Sequence, residues 1–169
     1  MLTTKLRIRL YGDPCLRKKS TPVKEVGTAE RMLIANMIET MHEHKGVGLA
    51  APQVGINEQI FVADIGEGPI AIINPRIIKK RGSEVMEEGC LSIPGVLIKV
   101  KRPKKIVVSC MDENNNKMQR ECEGLLARVI LHETDHLRGK LIVDNMGWRQ
   151  KLRFKNQLAE IRKQSKNIL

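Results

Sequence analysis

Aromatic residues are almost missing from this chain: one Trp, one Tyr and two Phe in 169 residues. Its core must therefore be built from Leu, Ile, Val and Met. Long apolar runs are missing too. No segment is long and apolar enough to span a bilayer, which excludes a helical membrane protein, and no membrane partner is expected. The opening MLTTKLRIRLYGDP lacks the apolar run of a secretory signal and the Ser/Arg-rich character of a transit peptide. The expected location is the cytoplasm of a bacterium. Cysteines are few: Cys15, Cys90, Cys110 and Cys122, with no two spaced as CxxC. A disulfide framework is excluded for a chain of this size, and the four read as reduced thiols. There is no repeat, low-complexity tract or linker, so the length fits a single domain.

Charge is abundant and uneven. The formal net charge is +11. Residues 148–169 hold seven Lys or Arg and one Glu. That basic ending suggests contact with a polyanion, against the plainer reading of a solvated face. Thr28 is placed to cap a first helix, with Glu30 in its first turn, an apolar face of Leu33, Ile34, Met37, Ile38 and Met41, and Gly46 as its stop. Strand-like runs follow at 60–65, 70–74, 96–101, 105–110 and 118–122, the last two separated by a turn at Asn114–Asn116. A second helix is predicted from Gly124 to Leu137, and a third from about Arg149. The class is α+β.

The sharpest signal is LHETDHL at 131–137. On a helix, His132 and His136 stack on one face and can hold one metal ion. Glu133 stands beside the first ligand, where it can take a proton from a water activated by the metal. The alternative, two exposed His on an ordinary helix, is weakened by the apolar stretch LLARVIL before them. Leu125 and Val129 share the face of the His pair and would form an apolar wall beside the metal. A catalytic site needs a third protein ligand and one open position. Glu160 is a candidate, though in the basic ending it reads more simply as a surface ion pair. His42 and His44 read as surface residues at the end of the first helix. Cys90 is the better candidate, in EEGCLSIPG, a stretch without regular periodicity. In GVGLAAPQVG, at 46–55, Gln53 can donate to a developing oxyanion, although the segment alone reads as a tight loop.

GVGLAAPQ, EGCLS and HETDH, in this order and spacing, resemble the three motifs of peptide deformylases, and the resemblance extends over nearly the whole chain. The helical ending resembles the subclass with a helical C-terminus. The resemblance implies antiparallel strands wrapped around a central helix carrying HETDH. It implies that Cys90, His132 and His136 bind one divalent metal, Fe(II), with Zn, Ni or Co as substitutes. It makes Glu133 the acid/base, and Gln53 with the backbone N–H of Leu91 the oxyanion hole. The reaction implied is removal of the formyl group from N-formyl-methionyl nascent peptides. Gly46, Val47, Gly48, Met86, Leu125, Arg128 and Val129 are expected around the substrate side chain. Arg128 is a departure that leaves the pocket's polarity open, and Ile142 stands where this family often has Phe.

The expected organisation is a catalytic metallohydrolase domain at 1–147, with 148–169 a basic C-terminal helix of the same domain. That helix would reach the ribosome, with Phe154, Leu158, Ile161, Trp148 and Leu152 as an apolar stripe among the charges. The protein is expected to be a monomer. Two rivals remain: a zincin-like metalloprotease using Glu160, and a basic RNA-binding protein with a structural metal.

Overall fold

The computed structural model describes residues 4–166, so the last three residues of the basic ending lie outside it. Among the described residues there are three α-helices: α1 (Thr28–Glu43), α2 (Gly124–Leu137) and α3 (Trp148–Lys166). Seven strands lie between α1 and α2: β1 (Gly48–Ala50), β2 (Ile60–Ala63), β3 (Ile70–Arg81), β4 (Glu84–Cys90), β5 (Ile93–Arg102), β6 (Lys105–Met111) and β7 (Lys117–Glu123). Five form an antiparallel sheet in the order β1-β2-β3-β6-β7, while β4 and β5 make a separate two-stranded ribbon. This is the expected α+β architecture with a C-terminal helix.

β2 is apolar on both faces because a helix covers each. Ile60 and Val62 of β2 pack with Met37 and Met41 of α1, while Phe61 packs with Ala127 and Ile130 of α2. That explains the unbroken run IFVA, which a half-exposed strand would interrupt with polar residues. β5 alternates instead. Val96, Ile98, Val100 and Arg102 are buried, and Leu97, Lys99 and Lys101 are exposed. Its inner face meets Ile142, Met146 and Ile161, which joins α3 to the ribbon.

Local expectations were corrected at several points. Gly27, not Thr28, is the N-cap of α1, and Gly27 N–H donates to Glu30 at 2.7 Å. At the other end Lys45 adopts the left-handed conformation expected of Gly46, at φ 54°. The stretch EEGC, read as irregular, is the end of β4, where a register shift between Glu88 and Cys90 breaks the period. Part of the Gly-rich segment is the short strand β1. β3 continues to Arg81, past an irregularity between Ile73 and Arg76 that accommodates Pro75. The apolar stripe of α3 divides. Ile161 is buried with Phe154 and Leu158 against the core, whereas Trp148 and Leu152 are 71% and 68% exposed. They lie on another side of the helix.

The end of α2 depends on Gly139. It adopts φ 71°, and a Cβ there would collide with the Arg17 carbonyl. Gly139→Ala should lose more than the ~1–2 kcal/mol that a left-handed backbone alone costs an L-residue. Urea unfolding checks this, and a smaller loss would mean that residues 16–18 can yield.

A buried charge cluster ties the ribbon to α2. Glu88 of β4 accepts from Arg102 Nε and Nη2 at 2.6 and 3.0 Å and from Arg128 Nη1 at 2.6 Å. Arg102 also donates to Asp135 at 2.8 Å. Burial alone would raise the Glu88 carboxyl, but hydrogen bonds and charge from His132 and Arg102 prevail and hold it at about 2. Because its folded pKa is depressed, Glu88 contributes stability above its ordinary value of 4.5 and loses it as pH falls towards about 2. Glu88→Gln should cost about 3 kcal/mol at neutral pH, since it leaves two guanidiniums undercompensated. It should also flatten the acid limb of the stability curve in that window. Unfolding free energy measured across pH 2–7 tests both, and parallel curves for parent and variant would refute the assignment.

Candidate active site

The i, i+4 spacing places His132 and His136 on one face of α2 with ring centroids 5.0 Å apart. β4 crosses this face and ends at Cys90. Cys90 Sγ lies 3.3 Å from His136 Nε2, which lies 3.2 Å from His132 Nε2. Ligand atoms of all three fall within 4.8 Å of one another. A tetrahedral ion with N and S ligands would separate them by about 3.3–3.6 Å, so the donor set fits a divalent metal in both chemistry and spacing. The electrostatics agree. Burial, then the neighbouring His132 and Arg102, push His136 well below its ordinary pKa and keep it neutral, as a ligand must be. Burial lowers His132 as well, but hydrogen bonds to Cys90 and Glu88 outweigh it and raise it well above its ordinary value, so without a metal the cluster holds a proton that a binding cation would displace.

His132 is held from behind, its Nδ1 lying 3.1 Å from Glu88 Oε2. That contact turns Nε2 towards Cys90 and His136. Glu133 is 3% exposed, and its Oε2 has no protein partner among the described residues. Burial pushes its carboxyl up to about 7, while His132 and Arg102 pull against the rise. Gln53 is 1% exposed and fixed in orientation, because its Oε1 accepts from Ala50 N–H at 2.8 Å. Its Nε2 therefore faces Ser92 Oγ at 3.2 Å and Cys90 Sγ at 3.5 Å.

A cleft of about 540 Å³ opens onto these groups. Gly46, Val47, Gly48, Leu125, Arg128 and Val129 line it as expected, together with Leu91. Met86 does not. It lies two residues before Glu88 on β4, paired with Val100 and 38% exposed. Arg128 is 5% exposed, and its guanidinium bonds Glu88 and the carbonyls of Val100 and Glu84. Its charge is thus engaged with the ribbon. Gly48 admits no side chain, since a Cβ would come within 2.8 Å of Val129 Cγ1 and strike the Glu133 carboxylate.

Glu160 is exposed on α3 and outside the ligand cluster. His42 is exposed and pairs with Asp64 at 2.9 Å. His44, expected only at the surface, is exposed but also forms part of the cleft rim. Sequence reasoning missed Glu88, Arg102 and Ser92. Glu88 left one usable signal: it stands two residues before Cys90 on a strand.

Known proteins resemble the chain over this whole framework. The family profile described as Polypeptide deformylase matches residues 5–151. The peptide deformylase of Thermotoga maritima is 45% identical over 156 residues, covering 92% of this chain and 95% of the relative. That of Clostridium botulinum is 49% identical over 137 residues, covering 81% and 93%. The crystal structure of peptide deformylase from Thermus thermophilus superposes with a TM-score of 0.88 at 39% identity, covering 94% of this chain and 98% of that one. Sequence and fold agree across the elements that carry Gln53, Cys90 and the HETDH helix, and the chain belongs to the polypeptide deformylase family.

Proposed function

We propose that the chain hydrolyses the N-formyl group from nascent proteins that begin with formyl-methionine, using one divalent metal held by Cys90, His132 and His136. The observation that carries this reading is the buried trio beside an unpartnered Glu133 oxygen, at the inner end of a partly apolar cleft. Three protein ligands leave an open position, which favours catalysis over a closed structural site. A thiolate with two imidazoles suits Fe(II), with Zn, Ni or Co as substitutes.

A divalent ion supplies Lewis acidity, bringing the pKa of a water from about 16 towards neutrality. Glu133 takes the proton as the water attacks the formyl carbon, and then passes it to the leaving amine. Its desolvated surroundings suit both roles, because a carboxyl raised towards neutrality can accept and release. Gln53 Nε2 and the Leu91 N–H donate to the oxygen on which negative charge grows. Formate and a free amino terminus leave. Leu125 and Val129 offer apolar walls to an unbranched side chain, and only the stem of Arg128 is free to join them.

The working place is proposed to be the bacterial cytoplasm, as a monomer. No helix among the described residues is long and apolar enough to cross a membrane. The ribosome is the proposed partner of α3. Arg149, Lys151, Arg153, Lys155, Arg162, Lys163 and Lys166 are all exposed around the packed stripe, and Trp148 and Leu152 add an open apolar spot. Tethering there would raise the effective concentration of enzyme at emerging chains.

Cys90→Ser should lose stoichiometric metal, measured by elemental analysis, while the same change at Cys15, Cys110 or Cys122 should not. Glu133→Gln should keep the metal yet release formate from formyl-Met peptides about 10²- to 10⁴-fold more slowly. Retained metal in the first variant, or near-parental kcat in the second, would remove that residue from its role.

Changing the seven basic residues of α3 to Gln should abolish co-sedimentation with ribosomes at moderate salt and leave short-peptide activity intact. Unchanged sedimentation would dismiss α3 as the contact.

A further inference from the structure

A second recess, of about 270 Å³, lies between the end of α2, the irregular part of β3 and the segment before α1. Thr134 lines it. Two residues from each metal-face histidine, Thr134 points to the opposite side of the helix. The remaining chemistry of the lining is cationic. Lys19, Arg76 and Arg138 contribute to it, and no carboxylate does among the described residues. None of the three cations makes an ion pair among the described residues.

The amides of the recess are already engaged by the chain. Gln59 Nε2 donates to Ser20 O at 3.3 Å, and Asn74 bridges Val23 N and O at 2.9 and 2.7 Å. What remains are three cationic donors and one hydroxyl. That hydroxyl, Thr134 Oγ1, is buried without a partner in a residue 3% exposed. An unmet buried hydroxyl costs about 1–3 kcal/mol, and like charges around one recess repel each other. A ligand with several anionic acceptor oxygens would relieve the repulsion among the three cations. Two guanidinium forks and an ammonium match a phosphoryl group better than a carboxylate, which has only two oxygens to offer. The volume exceeds that of a lone phosphate and leaves room for whatever it is attached to.

We propose that this recess is a phosphate-binding site, taking either a free phosphate compound or a phosphate of a nucleic-acid strand. It is separate from the cleft and does not depend on the activity assigned there.

The test uses metal-loaded enzyme and two probes. Inorganic phosphate is followed by equilibrium dialysis, and a short single-stranded RNA by fluorescence anisotropy. A Lys19→Gln/Arg76→Gln/Arg138→Gln variant is compared with the parent and with Lys79→Gln/Lys80→Gln/Lys104→Gln, a control of equal net charge. Phosphate bound at the metal would be common to all three proteins, and formyl-peptide activity reports that each is folded. The recess variant should bind phosphate at least about tenfold more weakly, the scale of a lost charge-assisted hydrogen bond, and the control should not. If RNA binding weakens in parallel, a nucleic-acid strand is the ligand. If only phosphate binding weakens, the ligand is a small phosphate compound. Equal phosphate binding by parent and recess variant, or an equal loss in the control, would overturn the proposal.

Discussion

A single buried carboxylate organises the centre of this molecule. Glu88 accepts from Arg102, Arg128 and His132, which come from β5 and from two turns of α2. Such a cluster is stable only when every charge in it is answered, because each is largely withdrawn from water. That demand fixes the position of β4 on α2. Cys90 follows two residues later on the same strand, so the placement of its sulfur beside the histidines follows from the placement of Glu88. The thiol and the imidazoles belong to elements more than forty residues apart, and hydrophobic contact alone would not hold them to hydrogen-bond distances.

The surrounding structure keeps this arrangement tight. α2 is covered by the sheet on its apolar side, with Ala127, Ile130 and Leu131 in that core. At the edge of that sheet β1 approaches Val129 and Glu133 so closely that residue 48 has room for no side chain. Gln53 is oriented by the backbone of Ala50, so its donors face the cleft before any reactant arrives. Dipoles fixed in this way do not have to reorganise as charge develops.

The sequence revealed the helices and the turn whose signals lie in local spacing. HETDH on a helix is readable because an i, i+4 pair needs no knowledge of the rest of the fold. Gly124–Leu137 and the turn at Asn114–Asn116 were readable from the same kind of signal. Glu88 and Arg102 were not, because their pairing depends on the register of a ribbon whose period is broken at Cys90. Gly89, Pro94 and Gly95 further hide the strands on either side. On α3, spacing alone grouped Trp148 and Leu152 with Phe154, although the helix turns them to another side.

The depth of the ligand trio bears on how a metal would come and go. His136 is 1% exposed, while Cys90 and His132 border the cleft that a formylated chain would occupy. Passage of an ion and occupancy by a peptide would then share one doorway. A ligand that dwells in the cleft would act as a stopper, slowing exchange of the ion whatever its equilibrium affinity. Idle enzyme would be the vulnerable form, with its sulfur open to oxidants for as long as the doorway stands empty. In a cell, the lifetime of the active centre would then depend on how steadily substrate is supplied.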